Sequence, residues 1–420
     1  MPSTSRPFPA TGQLDIFVSM PPRGPSRTKS RPSVGSHRVA GLFAGIGGIE
    51  LGLSRSGHSS NLLCEIEPGA GSVLEERFAG VPMVRDITEL SKLPDDTTLV
   101  TAGFPCQDLS QAGKTAGIEG ERSGLVRHVF RLLEQRRVPW VLLENVSFML
   151  RLGRGQAMRF VVEELERLGY VWAYRVMDSR AFGLPQRRER VYLLACLPGE
   201  GDPREILLSK DHGPPETPND YRNYANGFYW TEGIRGLGWA VDAVPTLKGG
   251  STIGIPSSPA IWMPSGEIVT PDIRDAERLQ GFDADWTTPA LSQGRSGKRW
   301  KLVGNAVSVN AAEWIGQQLN DPGSYDPSFD APLHAKSPWP DAAWSMTPGV
   351  RFASSVSRWP VAQRRKHLAA FLEFPTRPLS ARATIGFLGR TRESSLRFPE
   401  GLIDGLEEHL DNLPMVPVAV

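Results

Sequence analysis

From Arg38 onward the chain alternates two kinds of segment. Short apolar runs, "RVAGLFAG" from residue 38, "NLLCEIE" from 61, "TLVTAGF" from 98, "WVLLENV" from 140 and "VYLLAC" from 191, are nearly free of polar alternation. That pattern predicts strands buried on both faces. Between them, "GGIELGLSRSG", "GAGSVLEERFA", "SGLVRHVFRLLEQRR" and "GQAMRFVVEELERLGY" space apolar residues three and four apart, which predicts helices. Strand and helix in turn predict an α/β fold with a doubly wound, mainly parallel sheet.

After about residue 198 the rhythm breaks. Residues 199–270 are rich in Gly, Pro, Asn, Tyr and Trp with weak periodicity, which predicts a smaller, loop-heavy module over residues 199–299. The helical pattern "GNAVSVNAAEWIGQQL" then completes the first fold, so residues 38–198 and 300–320 are expected to form one domain. Residues 321–420 read as an accessory extension, with helices expected at "AQRRKHLAAFLEF" and "EGLIDGLEEHL" and with Trp339, Trp344 and Trp359 as core anchors. Residues 1–37, rich in Pro, Ser and Arg, read as a disordered basic tail.

A length of 420 residues with 40% hydrophobic and 22% charged residues permits one large core or several smaller ones. No apolar run approaches the ~18–20 residues of a spanning helix, so a cytoplasmic address is expected. The three cysteines, at 64, 106 and 196, are an odd number and far apart, which fits neither a disulfide framework nor a zinc site. Cys64 and Cys196 close apolar strands and read as buried small residues. A net charge of +1 neither announces nor excludes nucleic acid, because a binding patch can be local.

Candidate chemistry gathers at the predicted carboxyl edge of the sheet. Gly45, Gly47 and Gly48 form a tight strand-to-helix turn, and the acidic Glu65 follows about 20 residues on, after the second strand. A nicotinamide-binding G-x-G-x-x-G would place glycine where the chain has Glu50, which favours a nucleoside cofactor without a pyrophosphate. Cys106, in "GFPCQ", follows the third strand; taken alone it reads equally well as a packed thiol or a nucleophile. Glu144 and Asn145 end the next strand at the same edge, where a carboxylate is costly unless used or paired. Alternation within "RRERVYLL" aims Arg188 and Arg190 to one side.

With "FAGIGG", "GFPCQ", "ENV", "QRRER", "ERLQGF" and "GNAV" in that order, the chain resembles the DNA cytosine-C5 methyltransferases over residues 38–198 and 270–318. The resemblance implies a Rossmann-like fold with S-adenosylmethionine as cofactor and double-stranded DNA as partner. Phe43, Gly45, Gly47, Gly48 and Pro105 would line the cofactor, Glu65 would hold its ribose, Ile66, Asp86 and Ile87 its adenine, and Asn305 and Val307 would close the pocket. Cys106 would be the nucleophile, Glu144 the acid, and Arg188 and Arg190 its helpers. The loop "QDLSQAGKTAGIEG" would close over a flipped base, residues 199–299 would read the target, and "GRSGKRWK" is a candidate phosphate contact beside a solvated-loop reading. A monomer and a partner nuclease or defence system are expected. Three alternatives stay open: an RNA cytosine methyltransferase, a non-catalytic DNA-binding regulator and a nicotinamide oxidoreductase.

Overall fold

The five apolar runs are strands of one sheet. The structure, a computed structural model, describes residues 35–104, 124–216, 218, 220–249, 258–293 and 297–413. Its strands begin with β1 (Arg38–Leu42), β2 (Ser59–Cys64), β3 (Met83–Val84), β4 (Leu99–Gly103), β5 (Trp140–Val146), β6 (Val171–Asp178), β7 (Gln186–Arg187) and β8 (Glu189–Cys196). The large sheet runs β3-β2-β1-β4-β5-β8-β6 before further strands join it. The pairings from β3 to β5 are parallel. Strand order therefore reverses between β1 and β4, the switch point beside which open α/β sheets bind ligands.

The helices α1 (Gly48–Arg55), α2 (Pro68–Arg77), α3 (Leu125–Gln135) and α4 (Gln156–Arg167) follow the strands as expected. After α5 (Pro203–Leu207) and α6 (Ile273–Leu279), residues 300–320, expected to complete the catalytic fold, divide between α7 (Gly297–Asn305) and α8 (Val309–Asn320). Helix α8 packs directly on α1: a Cβ at Gly52 would lie 2.5 Å from the Val309 carbonyl and 2.6 Å from the Glu313 nitrogen. Gly52 thereby joins the end of the catalytic fold to its beginning.

Three features depart from the sequence pattern. Strand β8 is antiparallel to both β5 and β6, because a tight connection through Ser179–Phe182 and left-handed Gly183, not a crossover helix, joins β6 to β8. Strand β6 is hidden in the pattern by Arg175, which is fully buried and spends its guanidinium on Asp211 and the carbonyls of Leu207, Lys210 and Ser357. His37, placed in the tail by sequence, is buried, and its N–H donates to His58 Nδ1 at 3.0 Å.

Residues 321–413, expected from sequence as an accessory extension, add strands to both sheets. A second group of strands comprises β9 (Asn226–Phe228), β10 (Ala240–Val241), β11 (Val244–Pro245), β12 (Ala260–Trp262) and β13 (Ile268–Thr270). After them come β14 (Ala331–Pro332), β15 (Ala342–Thr347), β16 (Val350–Ala353) and β17 (Arg377–Pro378). Strands β15, β16 and β14 extend the large sheet beyond β6, covering an edge that would otherwise expose unpaired backbone groups. Trp344 and Trp359 are buried in the core beneath it, and Trp339 is half-buried against the opposite face. Strand β17 adds to the small sheet β10-β9-β12-β13-β17. After a single short turn, α9 (Leu368–Phe371), the helices α10 (Ala381–Arg392) and α11 (Leu402–Asn412) bury Phe387, Leu402 and Leu406 against Phe228, Ala260 and Ile268. Residues 321–413 thus add to both sheets.

Candidate active site

The turn from β1 to α1 is built from backbone that most residues avoid. Phe43, Gly45 and Gly47 have φ of 53°, 56° and 82°. A Cβ at Gly47 would lie 2.4 Å from the Phe78 ring, and one at Gly48 2.4 Å from the Val307 carbonyl, so these two glycines serve close packing. A Cβ at Gly45 would meet nothing within 4 Å; this glycine faces open space. Its N–H donates to Glu65 Oε2 at 2.8 Å, and the N–H of Glu67 donates to Glu65 Oε1 at 2.8 Å. Burial pushes the Glu65 carboxyl above its ordinary pKa, while these N–H groups pull the other way. Next to it, Ile66 is 67% exposed, a large apolar side chain left uncovered at the mouth of a cleft.

The cleft has a volume of about 670 Å³. On one side it is lined by Phe43, Gly45, Glu65, Ile66, Asp86 and Ile87; on the other by Glu144, Arg188 and Arg190, with Asn305 at a third edge. The sequence-predicted residues therefore converge, with three exceptions among the described residues. Gly47, Gly48 and Val307 stand behind the lining, Val307 touching the space beside Gly103. Pro105, Cys106 and the loop 107–120 lie outside the described residues, as do positions 294–296 of "GRSGKRWK". The bond of Asn145 Nδ2 to the Phe104 carbonyl, at 3.0 Å, ties the last described residue before Pro105 to the end of β5.

Glu144 is 8% exposed, and burial raises its pKa against the opposing pull of Arg190 and Arg188. Arg190 Nε lies 3.1 Å from Glu144 Oε1, placed there by the register that sets Arg190 opposite Val146. Arg188 is used otherwise. It is 1% exposed and directs both terminal nitrogens at the carbonyls of Leu247, Gly304 and Ala306, at 2.5 to 3.3 Å. Burial and the neighbouring Arg190 lower its pKa to about 9, still charged at neutral pH. It braces the cleft wall and does not touch Glu144 by hydrogen bond.

Several residues that hold the site have no role assigned from sequence, although Gln186 lies in "QRRER" and Glu277 and Gln280 in "ERLQGF". Gln186 donates to the Leu279 carbonyl and accepts from the Leu247 N–H, and Gln280 donates to the Val303 carbonyl. Buried Glu277 accepts from Thr287 and pairs with Arg299 at 2.9 Å, fixing α7 and hence the Gly304–Ala306 wall. Glu50 is 2% exposed and burial raises its pKa to about 7. Its Oε1 accepts from Thr101 Oγ1 at 2.8 Å, and its Oε2 has no partner. Cys64 and Cys196 are buried, and burial pushes both thiols up to about 12. No group of metal-ligating side chains occurs among the described residues, and no helix there is long and apolar enough to cross a membrane.

The sequence profile of the C-5 cytosine-specific DNA methylases matches residues 37–235. The Type II methyltransferase M2.BsuMI of Bacillus subtilis is 49% identical over 388 residues, covering 89% of this chain and 98% of the relative. The chain belongs to the C-5 cytosine-specific DNA methylases. Another relative of the methylase, the Type II methyltransferase M.MspI of Moraxella sp, is 36% identical over 298 residues, 66% of this chain and 69% of its own. The solved Dnmt2 methyltransferase of S. pombe shares the fold, with a TM-score of 0.52 at 19% identity over 67% of this chain and 98% of that one. The methylase is a DNA cytosine-5 methyltransferase whose methyl donor is S-adenosylmethionine. The cleft fits that donor: open space before Gly45, a carboxylate with acceptor capacity left over and an uncovered apolar side chain suit a ribose and a flat base.

Proposed function

We propose that the methylase modifies C5 of one cytosine flipped out of a specific duplex DNA sequence, through a transient covalent bond between Cys106 and C6. The observation that carries this reading is the Glu144–Arg190 pair: a buried, pKa-raised carboxyl held at 3.1 Å in the same cleft as the Gly45–Glu65 turn. A carboxyl whose burial favours the neutral form can donate to N3 of a cytosine as negative charge gathers there. Arg190 orients that carboxyl and is free to reach the base's O2. Arg188 is a positioning residue that fixes the wall behind them. The Cys106 thiolate adds to C6, which makes C5 electron-rich. When bound, S-adenosylmethionine supplies an electrophilic methyl group. Loss of the C5 proton to a base and departure of the thiolate then restore the ring. Because C6 is unreachable inside a duplex, the base leaves the stack, at a cost of a few kcal/mol that DNA binding offsets.

Glu65 holds the ribose, Ile66, Asp86 and Ile87 the adenine, and Asn305 closes the third edge. Residues 38–198 with 300–320 carry cofactor and chemistry, and 199–299 read the target. The enzyme works as a monomer in the cytoplasm, paired with a nuclease whose site it masks. Replacing Cys106 by Ser should abolish incorporation of labelled methyl groups into duplex DNA while leaving cofactor binding nearly intact. Duplex carrying 5-fluorocytosine at the target should trap the wild-type enzyme in an adduct that survives denaturing gels. Activity of the serine variant within tenfold of wild type, or no adduct at a target that is otherwise methylated, refutes the covalent route.

A further inference from the structure

Two acid-free stretches meet beside the catalytic edge. Residues 145–162, from the end of β5 into α4, contain Arg151, Arg154 and Arg159 and no Asp or Glu. Residues 331–340, in the C-terminal hundred, contain His334 and Lys336 and again no acid. The structure packs one on the other: Trp339 Nε1 donates to the Gly155 carbonyl at 3.0 Å, Arg159 donates to the Ala335 carbonyl, and a Cβ at Gly155 would lie 2.6 Å from Trp339. Arg151, Arg154, His334 and Lys336 are exposed, and none of the arginines and lysine of this strip has a carboxylate within 4.0 Å among the described residues. Other cations of the C-terminal stretch are paired, Arg351 with Glu166, Arg358 with Asp341 and Glu189, and Arg365 with Asp242, while Arg364, Arg377, Arg382 and Arg397, away from this strip, are exposed and without a carboxylate within 4.0 Å among the described residues. Unpaired cations held together at a surface raise a field that suits a polyanion. The strip's first arginine, Arg151, follows Val146, which lines the cleft with Glu144, by one 3-10 turn, Ser147–Leu150.

We infer that this strip, half from the catalytic core and half from the C-terminal hundred residues, binds the phosphate backbone of the duplex flanking the target cytosine. The inference rests on the DNA-methylating reading and adds a contact surface to it. Phosphate contacts position the duplex and carry no sequence information, so the strip sets affinity and its salt dependence and leaves the methylated sequence alone.

The test uses the full chain with S-adenosylhomocysteine and a duplex that the wild type methylates, with binding followed by fluorescence anisotropy over a salt series. Removing both Arg151 and Arg154 by alanine should flatten the plot of log affinity against log salt by about 2, and Lys336→Ala by about 1. Lys92→Ala, exposed in the segment between β3 and β4 and outside this strip, should leave the slope unchanged. Cofactor affinity and methyl transfer at saturating DNA should match wild type in all three, which also reports correct folding. Unchanged slopes in an enzyme that does methylate the duplex overturn the strip and spare the parent reading. Slopes reduced only on structured RNA would reassign it to a different polyanion and overturn it likewise. A wild type that transfers no methyl group to duplex DNA overturns both.

Discussion

Replacing Glu50 by Gln should change how stability depends on pH, by an amount the structure fixes. The Glu50 carboxyl lies beneath the cofactor turn, against β1 at Gly41, whose added Cβ would sit 2.4 Å from Oε1, and against Thr101 of β4. Burial dominates its pKa, the nearby Glu65 raises it further, and the Thr101 hydroxyl and its own backbone N–H oppose them only in part. The result is a rise from 4.5 to about 7. A raised carboxyl favours the folded state while neutral: its full contribution is present below pH 4.5 and is lost as pH climbs through about 7. At about 1.4 kcal/mol per pH unit, that interval is worth about 3 kcal/mol. Glutamine stays neutral throughout, and any constant penalty for its unpaired amide cancels when the two proteins are compared across pH. Urea unfolding of both should therefore show wild type losing about 3 kcal/mol relative to Glu50→Gln between about pH 4.5 and pH 8.5. Parallel curves would mean that Glu50 is hydrated or paired in solution, and the reasoning from burial would fail.

Glu65→Ala should weaken S-adenosylmethionine binding by about 1.5–3 kcal/mol in calorimetry; because it also orphans the N–H groups of Gly45 and Glu67, Glu65→Gln should recover part of the loss. A chain cut after Asp321 should lose cooperative folding and cofactor affinity together, since the cut strips β15 from β6 and removes Trp344 and Trp359 from the core. Wild-type cofactor binding by the truncated chain would show that the large sheet closes without them.

Much of the site is legible in the sequence because it is local. Each strand end carries its own motif, and parallel register brings the ends of β1, β2, β4 and β5 to one edge without further information. What is not legible depends on partners far along the chain. "QRRER" presents Arg188 and Arg190 as equals, yet Arg188 is consumed by carbonyls at 247, 304 and 306, and only Arg190 meets Glu144. Glu50 reads merely as a departure from a glycine pattern, because its burial follows from the sheet overhead. Strand β6 is obscured by Arg175, whose compensation comes from Asp211 and from carbonyls as distant as Ser357.

The predicted helix at "AQRRKHLAAFLEF" fails. Only Leu368–Phe371 is helical, and the backbone N–H groups around it are committed elsewhere. Ser357 N–H donates to Asp211 at 3.1 Å, Leu368 N–H to Asp242 at 2.8 Å, and the N–H groups of Glu373 and Phe374 to Asp275 at 3.1 and 3.0 Å. All three aspartates belong to residues 199–299, and Asp242 and Asp275 are buried. A buried carboxylate needs such donors, and hydrogen bonds to a charged group are each worth about 1.5–3 kcal/mol, enough to outweigh a few turns of helix with modest propensity. Arg365 and His367 add to Asp242, each at 2.9 Å, where a continuous helix would turn at least one of them away. The segment is therefore a strap: it leaves the large sheet at β16, bonds Asp211 beside β6, then Asp242 and Asp275 of the small-sheet half, and enters that half as β17. Bonds from Leu368, Arg365 and His367 to Asp242, and from Glu373 and Phe374 to Asp275, thus hold the connection between β16 and β17 out of a continuous helix and against the small-sheet half.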